Sequence, residues 1–296
     1  MVTTWGRMGT TWFLRILREH PEIVVHGPYP YETRAAVYWA HMLKVLAEPS
    51  STIEEFHVDG AKVGRHPVNA LHPTERYLHE WFASDYAHDL TLLSATSIDR
   101  FYSSVAKAIG RPEARYFAEK VLPTHGPRVL WSLYPDAKEI ILIRDLRDVV
   151  CSIRAFNAQR GFAAFGEEHA KNDAEFIEFL RSAAFRLMAA WRERSSRALL
   201  LRYEDLILSP VESIQKVLGY LELDASAQVA QELLAAAEVA SSSMRGHVTA
   251  GTPEASVGRW RRDLDPSLAE LCQQAFEEIL KTFDYPIALD KTHAPV

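Results

Sequence analysis

A turn near the start of the chain has the residue types of an anion site. The segment Gly6-Arg7-Met8-Gly9-Thr10-Thr11-Trp12 follows a short apolar run and leads directly into a helical pattern. A turn between a strand and a helix points several backbone N–H groups and the positive end of the helix dipole at one spot. The glycines allow close backbone approach, Thr10 and Thr11 offer hydroxyl donors, and Arg7 offers a guanidinium fork. We therefore predict a phosphate site here, with an ordinary βα turn capped by threonine as the alternative.

This turn lacks the lysine of a P-loop nucleotide triphosphatase. The pattern GxxxxGK[ST] requires a lysine that reaches the terminal phosphates, and the segment has none. The spacing therefore disfavours nucleotide triphosphatases, and a P-loop kinase-like phosphotransferase stays as an alternative function.

A second basic segment runs from Tyr134 to Ser152. Its apolar run ends in Arg144, and the following residues have a helical pattern that places Ser152 about two turns into a helix. An arginine at the carboxyl end of a strand lies at the rim where open α/β sheets bind ligands. The alternative is a solvated charge cluster at a helix start, and we expect Asp145 and Asp148 to cap that helix.

Both segments resemble motifs of the sulfotransferases that use 3′-phosphoadenosine 5′-phosphosulfate (PAPS). The first is similar to P-[KR]-[SA]-G-T-T-W, with Gly6 in place of proline and Met8 in place of serine or alanine. The second is similar to YPDAKxIxxxRDPRDVxxS, with Leu146 in place of proline. The resemblance implies that the turn binds the donor through Arg7, Met8, Gly9, Thr10, Thr11 and Trp12. It also implies that Arg144 and Ser152 hold the 3′-phosphate of PAPS, whose desulfated product is adenosine 3′,5′-bisphosphate (PAP).

Two shorter segments follow in the same family order. Tyr203-Glu204-Asp205-Leu206 resembles the YEDL segment, which implies that Tyr203 lies near the adenine. Gly258, Arg259 and Trp260 resemble the GxW that follows the loop clamping the cofactor. Tyr203 and Trp260 would otherwise be core aromatics. With these segments the resemblance extends from about residue 6 to residue 262, and it is to bacterial members with segments similar to tyrosylprotein and small-molecule sulfotransferases.

The catalytic residues are also inferred from the resemblance. Glu119 to Pro123 resembles an E-K-x-P segment, which implies that Lys120 joins Arg7 as a cation on the leaving group. Glu32, in a segment similar to E-T-R, is our first choice as the general base. His125 is the runner-up because it lies five residues after Lys120, where cytosolic members have a histidine two residues on. The alternatives are a surface lysine at Lys120 and a helix-capping role for Glu32.

These segments together predict transfer of a sulfuryl group from PAPS to a hydroxyl of a small-molecule acceptor. Such a transfer proceeds by in-line displacement and depends on positioning and electrostatics. A non-catalytic binder of adenosine phosphates would keep Arg7, Arg144 and Ser152 but not need Glu32 or Lys120. The acceptor itself stays open, and we expect its pocket to draw on the aromatic segments Gly27–Tyr38, Tyr77–Tyr86 and Phe156–Phe165. No histidine pattern indicates a metal site.

The elements that must position these residues alternate between short apolar runs and longer amphipathic stretches. This pattern predicts an α/β, P-loop-like three-layer fold, with a central, mostly parallel sheet flanked by helices, in one domain over 1–296. The predicted strands are Val2–Trp5, Ile23–His26, Arg115–Ala118, Glu139–Ile143 and Ala198–Leu201. The predicted helices are Thr10–Glu19, Thr33–Leu46, Asp145–Phe156, Asp173–Arg194, Val211–Leu221 and Ser267–Thr282. Ala240 to Gly258 reads as a long loop of the kind that clamps ligands.

Net charge, apolar stretches and cysteine content limit what the protein can bind and where it can act. A formal net charge of -6 and a pI near 6.1 disfavour bulk binding to nucleic acid or to an anionic membrane, so any anion site must be local. The sequence has no apolar stretch long enough for a membrane span. We expect Cys151 and Cys272 to be buried, reduced thiols of a cytoplasmic protein. A homodimer and a start upstream of Met1 both stay open.

Overall fold

The computed structural model describes residues 1–28, 31–47, 56–58, 61–63, 80–123, 127–239 and 249–287. The chain divides into two compact units, which we call the sheet unit and the helical unit. The sheet unit consists of Met1–Glu32, Arg115–Thr124 and Lys138–Val296, and the helical unit consists of Thr33–Ala114 and His125–Ala137. A single domain over 1–296 stays a prediction.

The described elements alternate between strands and helices along much of the chain. The strands are β1 (Val2–Thr3), β2 (Ile23–Val24), β3 (Phe56–Val58), β4 (Ala61–Val63), β5 (Tyr116–Phe117), β6 (Lys120–Val121), β7 (Ile140–Ile143) and β8 (Leu199–Arg202). The first α-helices are α1 (Thr10–Glu19), α2 (Ala35–Ala47), α3 (Ala87–Ala108), α4 (Pro127–Leu133), α5 (Leu146–Arg160) and α6 (Asp173–Arg194). Then come α7 (Tyr203–Leu208), α8 (Pro210–Tyr220), α9 (Ala227–Val239), α10 (Trp260–Asp263) and α11 (Pro266–Thr282).

The main sheet of the sheet unit is parallel and has the strand order β6-β1-β7-β8. Strand β1 pairs with β6 on one side and β7 on the other, so Val2 lies between Lys120 and Ile140. Strand β8 continues the sheet in parallel, with Ile143 beside Arg202. Because all four strands run the same way, the segments that follow them leave from one edge of the sheet.

Strand β7 separates two hydrophobic cores. Its residues are all buried, as the apolar run at Ile140–Ile143 predicts for a strand covered on both faces. Ile141 and Ile143 pack with α5, α6 and α11, whereas Ile140 and Leu142 pack with α1, α8 and α9. Successive side chains of a strand point to opposite faces, so helices cover both sides of the sheet. The predicted α/β architecture is confirmed.

Several helix ends follow the capping rules read from the sequence. Helices α1 and α6 have the predicted bounds. Asp145 caps α5 by accepting a hydrogen bond from the backbone N–H of Arg147 at 3.0 Å. Asp265 caps α11 by accepting from Leu268 N at 3.0 Å, ahead of a proline in the first turn. Cys151 and Cys272 are free and buried, as predicted.

The strands predicted at Ile23–His26 and Arg115–Ala118 do not join the main sheet. They shorten to β2 and β5, which pair with each other in parallel as a separate two-stranded sheet. Lys120, which was predicted to lie at the end of the preceding strand, belongs with Val121 to a separate strand at the edge of the main sheet, where Val2 N donates to Glu119 O at 2.8 Å and Thr4 N to Val121 O at 3.0 Å.

The helical unit packs α2, α3 and α4 against one another. The sequence-based prediction missed α3 because two of its four buried residues, Ser94 and Ala106, are small, while Leu92 and Leu93 are exposed. The buried residues Ser94, Ile98, Tyr102 and Ala106 recur every four positions, which is the spacing of one helix face. Strands β3 and β4 form an antiparallel pair. None of the described helices has the length and apolarity needed to cross a membrane.

A buried ion pair joins helix α6 to the main sheet. Glu139, just before β7, accepts hydrogen bonds from Arg194 Nε at 2.7 Å and Nη2 at 2.9 Å, and both side chains are almost fully buried. The hydroxyl of Thr3 donates to the same carboxylate. The Glu139 carboxylate therefore accepts hydrogen bonds from a residue of β1 and from a residue of α6.

We predict that Glu139→Gln lowers the free energy of unfolding by about 3–5 kcal/mol, because it removes the buried carboxylate that accepts two hydrogen bonds from Arg194, and the remaining acid, Glu193 at 3.6 Å, is partly exposed. The matched control is Glu278→Gln on α11, which breaks an ion pair with Arg192 of α6. Both of these side chains are more than half exposed. That change should cost less than about 0.5 kcal/mol. Urea unfolding followed by circular dichroism measures both, and similar losses in the two variants would contradict the prediction.

Candidate functional site

Strand pairing carries the two predicted phosphate segments to one edge of the sheet. The turn from Gly6 to Gly9 follows β1, and Arg144 follows the neighbouring parallel strand β7. Tyr203 follows β8, the next strand in the sheet. Three predicted site segments therefore leave from adjacent strands.

Direct hydrogen bonds connect the two phosphate segments. Arg7 Nε donates to Ser152 Oγ at 3.1 Å, and Arg144 Nη1 donates to the carbonyl of Arg7 at 3.3 Å. The guanidinium of Arg7 also lies over the ring of Phe156, 4.5 Å from its centroid. Residues separated by more than 130 positions in sequence thus form one basic cluster.

The turn from Gly6 to Gly9 has left-handed backbone angles and is packed closely against two aromatic rings. Arg7 has φ 64° and Gly9 has φ 89°, so both lie in the left-handed region. A Cβ on Gly9 would come within 2.3 Å of the Tyr203 ring, and one on Gly6 would come within 2.5 Å of the Phe165 ring. The residue at position 6 therefore has to be small here, which accounts for the loss of the proline in the family pattern.

Tyr203 and Ser256 complete one wall of the cluster. The guanidinium of Arg144 stacks on the Tyr203 ring at 4.4 Å, and its Nη2 donates to the carbonyl of Ser256 at 2.6 Å. The Tyr203 hydroxyl and Ser256 Oγ share a hydrogen bond of 2.9 Å. Tyr203 therefore holds the arginine and the 3₁₀ turn at Glu254–Ser256 in place.

Arg259 extends the cluster from the other side. Its Nη1 donates to the carbonyl and hydroxyl oxygens of Thr249 at 3.0 and 3.2 Å, and its Nε donates to Asp263 at 2.6 Å. Thr249 Oγ1 lies 3.4 Å from Ser152 Oγ. The predicted GxW segment thus reaches Ser152, one of the two residues predicted to hold a 3′-phosphate, through Thr249. Residues 240–248 of the predicted clamping loop lie outside the described residues.

The remaining residues of the two motifs divide between core and edge. Met8 packs in the core with Ile141 and Leu146, so only its backbone is left for a ligand. Trp260 is also buried, with the guanidinium of Arg147 4.0 Å from its ring centroid. Thr10 is the buried first residue of α1, and Thr11 and Trp12 are partly exposed beside it.

The cluster places like charges close together in a poorly solvated region. Burial, with the guanidinium of Arg144 as the second cause, lowers the pKa of Arg7 to about 10. Tyr203 opposes this lowering of the pKa, and Arg160 and Arg259 make smaller contributions to it. The site is therefore locally cationic in a chain of net charge -6, and an anion bound there would relieve this repulsion.

Asp148 is a buried site residue whose role sequence reasoning missed. Its carboxylate accepts from Gly258 N at 2.7 Å and from Trp260 N at 2.9 Å. Burial raises the pKa of Asp148 to about 7, with the neighbouring Asp145 adding to the rise and Arg144 opposing it. The sequence predicted that both aspartates serve the start of this helix: Asp145 caps it, and Asp148 lies in its first turn, where it also anchors a loop from a distant part of the chain.

The two predicted catalytic side chains contact each other. Lys120 Nζ lies 2.8 Å from Glu32 Oε1, and both side chains are mostly buried. Lys120 is the first paired residue of β6, beside Val2. His125, the other candidate base, lies outside the described residues.

The residues present suit the phosphorylated nucleotide that the resemblance implies. Arg144 is nearly fully buried, yet its Nε has no hydrogen-bond partner among the described residues. An unsatisfied buried donor is the group that a phosphate oxygen would satisfy, and Arg144 is linked to Ser152 through Arg7. Within the described chain, no cluster of His, Cys, Asp and Glu is arranged to hold a metal ion.

Structural comparison identifies the fold. A sulfotransferase domain from the olefin synthase of Synechococcus PCC 7002 superposes with a TM-score of 0.54 at 18% identity, covering 96% of this chain and 94% of that one. A sulfotransferase domain from the curacin biosynthetic pathway gives 0.54 at 13% identity, covering 97% and 98%. A mouse sulfotransferase complexed with PAP gives 0.50 at 13% identity, covering 96% and 88%.

Sequence comparison identifies the family. Carbohydrate sulfotransferase 3 of Tetronarce californica is 26% identical over an alignment of 191 residues, and the match covers 60% of this chain but only 43% of that protein. The sequence pattern of the Sulfotransferase family matches residues 1–227, the region that holds both phosphate segments and the Lys120–Glu32 pair. The chain therefore belongs to the sulfotransferase family.

Proposed function

We propose that this chain transfers a sulfuryl group from PAPS to a hydroxyl of a small-molecule acceptor. The observation that carries the proposal is the contact between the two phosphate segments, in which Arg7 donates to Ser152 and Arg144 donates to the backbone of Arg7. A donor with phosphates at both its 3′ and 5′ positions needs cationic groups on adjacent segments, and this arrangement provides them.

The donor-binding roles follow from where each group lies. The N-terminus of α1 and the turn before it would hold the 5′-phosphosulfate through backbone N–H groups and the hydroxyls of Thr10 and Thr11. Arg144 and Ser152 would hold the 3′-phosphate, with Arg259 nearby through Thr249. Tyr203 would lie near the adenine, beside Gly9.

The catalytic roles fall to Glu32, Lys120 and Arg7. The donor supplies a sulfuryl group activated by its bond to phosphate. Glu32 accepts the proton of the acceptor hydroxyl as the acceptor oxygen bonds to sulfur and the bond from sulfur to the phosphate oxygen breaks. Lys120 and Arg7 neutralise the charge that develops on the leaving phosphate. The Lys120–Glu32 ion pair supports this division because it holds base and cation in contact.

The acceptor pocket is proposed to use the aromatic segment Phe156–Phe165. Phe156 contacts the Arg7 guanidinium, and Phe165 packs edge-to-face against Phe156 at a centroid distance of 5.6 Å. Phe162 is exposed, with 55% of its surface accessible. Apolar rings next to the reacting centre suit an acceptor with an apolar body and a free hydroxyl.

The proposal as a whole is tested by incubating the protein with ³⁵S-labelled PAPS and a panel of hydroxyl acceptors. Sugars come first because a curated relative is named a carbohydrate sulfotransferase, followed by lipid alcohols, phenols and tyrosine peptides. Labelled product with any of them supports the proposal. Transfer of ³²P from γ-labelled ATP would instead favour the kinase-like alternative, and tight PAP binding without transfer to any acceptor would favour a non-catalytic binder.

We predict that Ser152→Ala and Arg144→Lys each weaken PAP binding by about tenfold or more. Each change removes a hydrogen bond to a charged phosphate, worth about 1.5–3 kcal/mol, and Arg144→Lys also removes the planar fork while keeping the charge. Calorimetric titration with PAP measures the dissociation constants. Arg181→Lys, at an exposed pair with Glu178, is the control and should bind as the wild type does. Unchanged affinity in both site variants would rule out this phosphate site.

We predict that Glu32→Gln and Lys120→Ala lower kcat by about 100-fold while PAP affinity changes by less than about threefold. The first removes the proton acceptor, and the second removes a cation that acts mainly in the transition state. Lys138→Ala is the matched control, because Lys138 forms a comparable ion pair with Glu222 on the exposed surface. Wild-type turnover in both site variants would overturn the catalytic assignment, and equal losses of binding and turnover would show a role in donor binding instead.

A further inference from the structure

Asp148 combines full burial with hydrogen bonds to a distant loop. The side chain lies on α5, and its two carboxylate oxygens accept from the backbone N–H groups of Gly258 and Trp260. These two residues flank Arg259, so the carboxylate fixes the backbone on both sides of that arginine. Gly258 has φ 67°, a conformation that glycine adopts at little cost.

The loop that Asp148 anchors also reaches Ser152, which lies four residues after Asp148 on the same helix. Arg259 holds Thr249 by two hydrogen bonds, and Thr249 Oγ1 lies 3.4 Å from Ser152 Oγ. Residues four apart on a helix lie on one face. Asp148 and Ser152 are therefore joined both by one turn of α5 and by a loop of contacts that runs through Arg259 and Thr249. Arg7 joins this loop at Ser152.

Asp148 does not suit direct contact with an anion. A carboxylate near a phosphate repels it, and both oxygens of Asp148 are already used by backbone donors. The charged groups that act on it are Asp145 and Arg144 at the end of β7, while Cys151 on its own helix is a neutral thiol because burial raises the pKa of Cys151 to about 12. The carboxylate is therefore placed to hold the protein's own chain, at the cost of burying a charge.

We infer that Asp148 is a positioning residue for the 3′-phosphate of the donor and acts through Arg259 and Thr249. This inference rests on the proposed function, because it assigns the Ser152 end of the cluster to the 3′-phosphate. It assigns to Asp148 no contact with the donor and no part in the transfer step. Its consequence is selectivity: losing the anchor should harm recognition of the 3′-phosphate and spare the 5′ end, which the turn after β1 holds.

The test compares binding of PAP with binding of adenosine 5′-monophosphate, which lacks the 3′-phosphate. Asp148→Asn replaces one acceptor oxygen by an NH₂ group that cannot accept from a backbone N–H. We expect the dissociation constant for PAP to rise about tenfold or more and that for adenosine 5′-monophosphate to change less than about twofold. In turnover assays, KM for PAPS should rise while KM for the acceptor stays constant. Asp173→Asn, at an exposed acid that begins α6, is the control and should leave all of these unchanged.

A second variant keeps the inference testable if Asp148→Asn does not fold. Thr249→Ala removes the link between Arg259 and Ser152 without touching a buried charge, and it should show the same selective loss for PAP. If both variants fold, their effects on PAP affinity should be less than additive, because they act on one chain of contacts. Equal weakening of both nucleotides, or no change in either variant, would overturn the inference. Failure of the wild type to bind PAP would instead overturn the proposed function itself.

Discussion

The parallel pairing of β1 with β7 is the constraint on which the site depends. Val2 and Thr3 lie beside Ile140 and Ile141, so the turn at Gly6–Gly9 and Arg144 emerge from neighbouring strands in the same direction. The pairing brings together residues almost 140 positions apart and allows Arg144 to donate to the carbonyl of Arg7. The contacts of Arg7 with Arg144 and Ser152 require this register, because a shift of one residue would turn each side chain of the strand to the other face.

The fold also compensates for the electrostatic repulsion among the arginines of the site. Arg7, Arg144 and Arg259 approach one another in a region with little water, where like charges repel strongly. Packing offsets this cost: Phe156 lies against Arg7, Tyr203 against Arg144, and two cores on either side of β7 hold the sheet rigid. A cationic site built in advance in this way binds an anion without having to reorganise, which is also how electrostatic catalysis works.

Contiguous motifs were the predictable part of this protein. The strand, turn and helix of residues 2–19 and the strand and helix of residues 139–160 are local units, and their capping and apolar patterns identify them without knowledge of the rest. Pairings between distant segments were not predictable. The edge strand at Lys120 was predicted only as the end of the preceding strand, because a two-residue strand has no pattern of its own. Helix α3 was missed because its buried face carries serine and alanine.

The sequence by itself determined the family, the alternation of strands and helices, and the residue types that meet an anion, since each of these is encoded within short stretches of chain. The tertiary structure alone decided that Arg7 meets Ser152, that Glu32 meets Lys120, and that Asp148 anchors the backbone around Arg259. The physical reason is that a hydrogen bond needs atoms within about 3 Å of each other. The sequence determines which donors and acceptors the chain contains. The distances between them depend on strand register and helix packing.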